Sequence, residues 1–199
     1  NIGGNIFIEI LSMRIGFFIT AITAAKLGTN YFALHNVGMN LLSLSFSLGD
    51  GMSVAVITLT GNNLGAGRKD EAVRYGKACQ QIGFIMSLII SSIFFIFGKH
   101  IFGLFFEDPK VVDMSGIIIR YLGFIVLMQI LQVIHAGSLR AAGDVKYTLI
   151  VAIVSVTIIR SIITLLTVNV LNLGLDGIWI GILSDQTSRL IGLRHRFKQ

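Results

Sequence analysis

Ionisable side chains stand inside long apolar runs of this chain: Glu9, Arg14, Asp50, Arg120, Arg160, Asp185 and Arg189. An ionised group at mid-bilayer costs about 2.5–3.5 kcal/mol on insertion scales, so each needs a partner, a wet surface or a task. Glu9 lies among Ile6, Phe7, Ile8, Ile10 and Leu11. A carboxylate in such a setting can load and release a proton, or offer a hard oxygen ligand to a sodium ion. The plainer readings place Glu9 near the headgroups or pair it permanently with Arg14. Five residues at 100° each set Arg14 about 140° around the helix from Glu9, so Arg14 is expected to point at another helix.

Arg160 and Asp185 fall at similar depths, each about 12–15 Å from the same end of its run at 1.5 Å per residue, so the two are expected to meet across a hairpin. Asp185 and Arg189 are spaced i,i+4 and share a helix face. Arg14, Arg160, Asp185 and Arg189 therefore read as an intramembrane charge network that locks helices together. The sharper alternative is that Asp185 changes partner during a working cycle. Asp50 either attracts a cation into a cavity or sits in a water-filled bend. A lone histidine near the end of a span, such as His35, is more often a packing residue than a ligand.

Enzymes are poorly served by these residues. The histidines are scattered at 35, 100, 135 and 195. The spans hold no HExxH pattern, no serine–histidine arrangement and no glycine-rich phosphate loop. Cys79 is the only cysteine, which excludes an internal disulfide and a thiolate metal cluster.

The elements that must position these groups follow from composition. Of 199 residues 54% are hydrophobic and 13% charged, with a single proline. Runs such as 82–97, 117–131 and 149–171 approach or reach the roughly 20 residues that cross about 30 Å of hydrocarbon, and they are apolar all round. The fold class is an all-α polytopic membrane protein with six transmembrane spans, about 6–27, 31–64, 71–97, 112–142, 147–168 and 175–194. Spans two and four exceed a bilayer, so each should tilt, bend or project, with Gly49-Asp50-Gly51 the expected bend in the second.

The elbow Gly61 to Ala72 has glycines that can take positive φ, and Asp70 is placed to cap the following helix. The segment Lys99 to Lys110 reads as a loop with a Phe-rich centre in the headgroup layer, and Pro109 fits the first turn of span four. The net charge of +6 is spread over loops rather than gathered on one stripe, which argues against nucleic acid. Arg68, Lys69, Arg74, Lys77, Arg140, Lys146, Arg194, Arg196 and Lys198 fall on one side, and Lys26, Lys99 and Lys110 on the other. Both ends of the chain are thus expected to be cytoplasmic, with Trp179 and Tyr31 near the outer interface. The chain opens at Asn1 and is apolar from Ile2, as expected of a fragment with a missing upstream part.

GNNLGAGRKDEA at 61–72, followed by GSLRAAGD at 137–144, resembles the C-terminal half of the MATE (multidrug and toxic compound extrusion) transporters. Supporting segments are EILSMRIG at 9–16, ALH at 33–35 with Asn40, SLSF at 43–46, GIW at 177–179 and Asp185-Gln186 with Arg189. The resemblance runs the length of the chain in order. It implies the second six-helix lobe of a twelve-helix, two-lobe secondary antiporter in a plasma membrane. Such a transporter exports amphipathic organic cations in exchange for sodium ions or protons and uses no other cofactor.

The implied partners are the N-terminal lobe and membrane lipids. An acid at the place of Glu9 is assigned to cation coupling in the family, and Glu9 would be the metal ligand of a sodium-coupled member. His35 and Asn40 match the family pattern and, with Asp50 and Gln129, are the candidates for lining the cavity. Asp50 departs from the family, where an apolar residue usually separates the two glycines. Gln129 departs where some members carry an acid, and Asn5 where relatives often have proline. The rival functions are a flippase for lipid-linked sugars of the same superfamily and a structural or channel-forming subunit.

Overall fold

The computed structural model describes the backbone of residues 2–197 and the side chains of residue 11 and residues 13–197. These residues form α1 (Ile2–Leu27), α2 (Thr29–Gly65), α3 (Lys69–Gly103), α4 (Pro109–Ala141), α5 (Val145–Ile153), a π-helical stretch (Val154–Arg160), α6 (Ser161–Asn169) and α7 (Gly174–Phe197). From α5 through α6 the helix is unbroken, so there are six rods, and the described residues contain no strand. In hydrocarbon a helix satisfies its own backbone hydrogen bonds, which is why apolar runs of this length take no other form. Among the described residues, α2, α3, α4 and the composite Val145–Asn169 are long and apolar enough to cross a membrane.

Two elbows join rods in the same way. Ala66 N–H donates to Asn62 O, Gly67 N–H to Leu64 O and Arg68 N–H to Asn63 O, with Gly67 at φ +76°. The second elbow repeats this pattern at Ala142, Gly143 and Asp144, with Gly143 at φ +87°. Glycine is required at both because a side chain would strain the left-handed turn that satisfies the last carbonyls. Asp70 does not cap α3. That helix begins a residue earlier, and Asp70 and Glu71 lie in its first turn, where they complement the helix dipole. Asp108 caps α4 by accepting from Lys110 N–H at 2.9 Å, with Pro109 next in line.

The core is α4. It packs against α2, α3 and α7 and buries Ile118, Leu122, Ile125, Ile130 and Ile134 completely. Between apolar helices in lipid, close approach depends on small residues. α3 turns Gly76, Gly83, Ser87, Ser91 and Gly98 inward, so that Ile134 fills the space over Gly83 and Ile119 the space over Gly98. Gly38 of α2 makes room for the Trp179 ring. Trp179 is consequently fully buried and is no interfacial anchor, contrary to the expectation from aromatic belts.

Gly49 likewise faces Ile130 of α4, while Gly51 faces open space, and α2 is helical through both. α3 continues past Phe97 to Gly103, so most of the expected Phe-rich loop is helix. Phe102 is buried in the core, and only Leu104 and Phe105 stand out.

Lys99 and Asp113 form an exposed ion pair of 2.9 Å at the end opposite the elbows. Such a pair contributes typically less than about 1 kcal/mol. Asp113→Ala should leave the thermal unfolding of the purified protein indistinguishable from wild type.

Candidate functional site

The outward faces of α2 and α3 differ in kind. α3 exposes Ile82, Ile85, Leu88, Ile89, Ile93 and Ile96, a surface suited to lipid. Its exposed Ser92 hydroxyl donates to its own backbone at Leu88 O, 2.8 Å away, as Ser47 and Thr58 of α2 do at Ser43 O and Val54 O. α2 exposes Asn36, Asn40, Ser43, Ser47, Asp50 and Thr58. At 100° per residue these positions fall within about 40° of one line, with Val54 as the apolar member. The stripe covers residues 36 to 58, about 33 Å along the axis and as long as the hydrocarbon layer is thick. On the opposite face Leu34, Leu42, Ser45, Gly49, Ser53 and Val56 are buried against the rest of the lobe.

A polar line of full membrane depth, with a carboxylate in it, is costly against lipid and natural against water. Asn40 and Asp50 of the sequence candidates lie on this stripe. Asn36, Ser43, Ser47 and Thr58 were not among the candidates, although their i,i+3 and i,i+4 spacing from Asn40 and Asp50 was there to be found. His35 and Gln129 are not on it. His35 is 2% exposed and meets Trp179 edge-on at 5.9 Å between centroids. Gln129 is buried on α4, and its Oε1 has no hydrogen-bond partner among the described residues.

A second feature lies inside the lobe. Arg160 donates from Nη2 to Asp185 Oδ2 at 2.7 Å, and Arg189 donates from Nε to Asp185 Oδ1 at 2.9 Å. Asp185 is fully buried, Arg160 is 1% exposed and Arg189 9%. Gln186 Nε2 adds a longer bond of 3.4 Å to Asp185 Oδ2. Both carboxylate oxygens are therefore engaged by cations.

Arg160 closes the π-helical stretch, a widened turn of the kind that recurs at functional positions. Its guanidinium carbon lies 4.9 Å from the centre of the Phe17 ring on α1. Its Nε and Nη1 are buried without hydrogen-bond partners among the described residues. Ser188 of α7 donates to Ser155 of the π stretch at 3.0 Å. The cluster thus ties α1, the π stretch and α7 into one unit. Gly177 and Gly181 of α7 allow this, since a Cβ at either would strike Thr167 or Thr164 of α6.

The structure brings Arg160, Asp185 and Arg189 together. Arg14 is exposed on α1 and has no ion pair among the described residues. The side chain of Glu9 lies outside the described residues. No group of three or more histidine, cysteine or acidic side chains able to hold a metal occurs among the described residues.

A MatE family model matches residues 6–166. The chain is 27% identical over 158 residues to a probable multidrug resistance protein NorM of Thermotoga maritima, covering 79% of this chain and 34% of that protein. It is 29% identical over 186 residues to the Bacillus subtilis protein of the same name, covering 90% of this chain and 41% of that one. The multidrug resistance protein MdtK of Yersinia enterocolitica matches at 27% over 189 residues, again with 41% of its length covered.

Among solved structures, a MATE protein in a straight conformation superposes with a TM-score of 0.86 at 21% identity, over 96% of this chain and 44% of that one. The inward-facing form of a MATE family transporter superposes at 0.78 with 23% identity, over 96% and 45%. The chain spans less than half the length of these relatives. With the family model covering most of its length and the fold that of one six-helix half of such a transporter, the chain belongs to the MatE family.

Proposed function

We propose that this chain is the second lobe of a multidrug antiporter in the plasma membrane, exporting amphipathic organic cations against an inward flow of sodium ions or protons. The observation that carries the reading is the polar stripe of α2, which supplies one wall of a water-filled path between this lobe and an N-terminal one. Asn40 and Asp50 belong to that wall. Asp50 puts a negative charge where a cationic drug would pass, and the neutral side chains keep the path wet without binding tightly.

Glu9, on the α1 helix that meets α2, is the coupling acid of this lobe. It takes up a proton or ligates sodium on one side of the membrane and releases it on the other. The Arg160–Asp185–Arg189 cluster is structural: both Asp185 oxygens are held by arginines and the carboxylate is fully buried inside the lobe. The elbow-bearing, Lys- and Arg-rich end and both ends of the chain face the cytoplasm. A flippase for lipid-linked sugars would instead want a positive wall, and the exposed face of α2 carries none.

The test combines accessibility with transport. In a Cys79→Ser background of the complete transporter, single cysteines at 40, 43, 47 and 50 should react with a membrane-impermeant thiol reagent, while one at 89 on α3 should not. A fluorescent organic cation should slow labelling at 47 and 50. Glu9→Gln should bind the dye but lose most of its gradient-driven uptake into inside-out vesicles, under whichever of a sodium or proton gradient drives wild type. Unlabelled stripe positions would remove the aqueous path, and normal transport by Glu9→Gln would move coupling to the other lobe.

A further inference from the structure

At the basic end of the lobe a groove of about 460 Å³ runs between α3 and α7 over the last turns of α4. Lys77 and Arg194 line it, and no carboxylate does so among the described residues. Two neighbouring recesses at the same end each carry an acid, Glu71 beside Arg74 in one and Asp144 beside Arg196 in the other. Arg196 and Asp144 are bonded at 2.7 Å, so the charge of that recess is offset, whereas the groove keeps its two cations. Gln80, also in its wall, has both amide atoms buried with no hydrogen-bond partner among the described residues.

The groove is graded along the membrane normal. Deeper than the cations come Phe84, Leu131 and Leu190. From Lys77 to Phe84 is seven residues, about 10 Å along α3. Beyond Phe84 the apolar track continues on the exposed face of α3 through Ile85, Leu88 and Ile89. Phe197 closes the outer end: its ring lies over Gly76, where a Cβ would come within 3.2 Å, and edge-on to His135 at 5.4 Å. A cationic rim with a spare amide above an apolar slot that opens onto the lipid face has the polarity of one phospholipid standing in its leaflet.

We propose that this groove binds an anionic phospholipid, with its phosphate between Lys77 and Arg194, a headgroup or ester oxygen on the Gln80 amide, and an acyl chain along Phe84, Leu190 and the outer face of α3. Two like charges with no acid between them exclude an organic cation from the same place. The apolar floor, continuous with the lipid surface, distinguishes the occupant from a soluble anion. The site is independent of which ion drives transport.

The complete transporter, delipidated in detergent and offered equal amounts of phosphatidylglycerol and phosphatidylethanolamine of matched chains, should retain phosphatidylglycerol with a preference of about tenfold by native mass spectrometry. Lys77→Gln with Arg194→Gln should bring the ratio near one, and Arg74→Gln, outside the groove, should leave it unchanged. A photoactivatable phosphatidylglycerol should crosslink wild-type protein within residues 77–84 and 190–197, a readout that needs no variant.

Equal retention of the two lipids, a preference that survives the double substitution, crosslinks elsewhere, or an equal loss in Arg74→Gln would each overturn the proposal. Displacement of phosphatidylglycerol by millimolar inorganic phosphate would assign the groove to a soluble anion instead.

Discussion

Asp185→Ala is expected to destabilise the chain by about 3–5 kcal/mol, the usual effect of removing one member of a buried ion group. The substitution strands two arginines that are both at least nine-tenths buried. Arg160 already has two buried nitrogens, Nε and Nη1, without partners among the described residues, so no acceptor there stands ready to replace the lost carboxylate. The triple variant Arg160→Met, Asp185→Leu, Arg189→Met should be far more stable than the single one, because removing all the charges removes the desolvation cost with them.

Thermal unfolding in detergent, followed by size-exclusion profile, would rank the variants. If Asp185→Ala melted with wild type, the cluster would not be what holds α7 to the π stretch. If the triple variant were also fully stable yet lost transport, Asp185 would have a part in the cycle after all.

Gly16→Ala should also be damaging, for a different reason. A Cβ at Gly16 would lie 2.6 Å from the Val156 carbonyl oxygen and 2.6 Å from its Cγ1, where α1 crosses the π stretch. The carbonyl belongs to the backbone and cannot rotate away, so overpacking of about 1–3 kcal/mol or a shift of α1 follows. Gly51→Ala makes the same chemical change where a Cβ meets nothing within 4 Å. There alanine should be neutral or stabilising by up to about 1 kcal/mol, since it favours the helix. Opposite signs for the two substitutions in one melting experiment would establish that the contact at Gly16 is decisive. Equal effects would show that helix propensity dominates at both.

Much of the architecture could be seen in the chain itself, because a bilayer allows so few solutions. An apolar run of bilayer length has to be a helix, and glycines followed by Arg68, Lys69 or Asp144 mark where it must stop. The pairing of Asp185 with Arg189 follows from helical spacing, and that with Arg160 from equal depth. Arg14 illustrates the limit. Its depth resembles that of the others, but whether it turns inward depends on the rotation of α1 about its own axis, which spacing within one helix leaves free.

Trp179 and Phe102 show the same limit for aromatic residues. Each lies near the end of a span, where composition suggests an interface. Both are fully buried, Trp179 because Gly38 on α2 leaves room for its ring. The stripe on α2 was present as a pattern from Asn36 to Thr58, but periodicity alone does not say whether a polar line faces a neighbour or water. By itself, then, the sequence determined the helical class, the number of rods and the elbow within Gly61 to Ala72, since these follow from local bonding and the transfer cost of side chains. Only the tertiary structure decided which face of each helix is buried, because that depends on the fit of small residues on one helix to large ones on another.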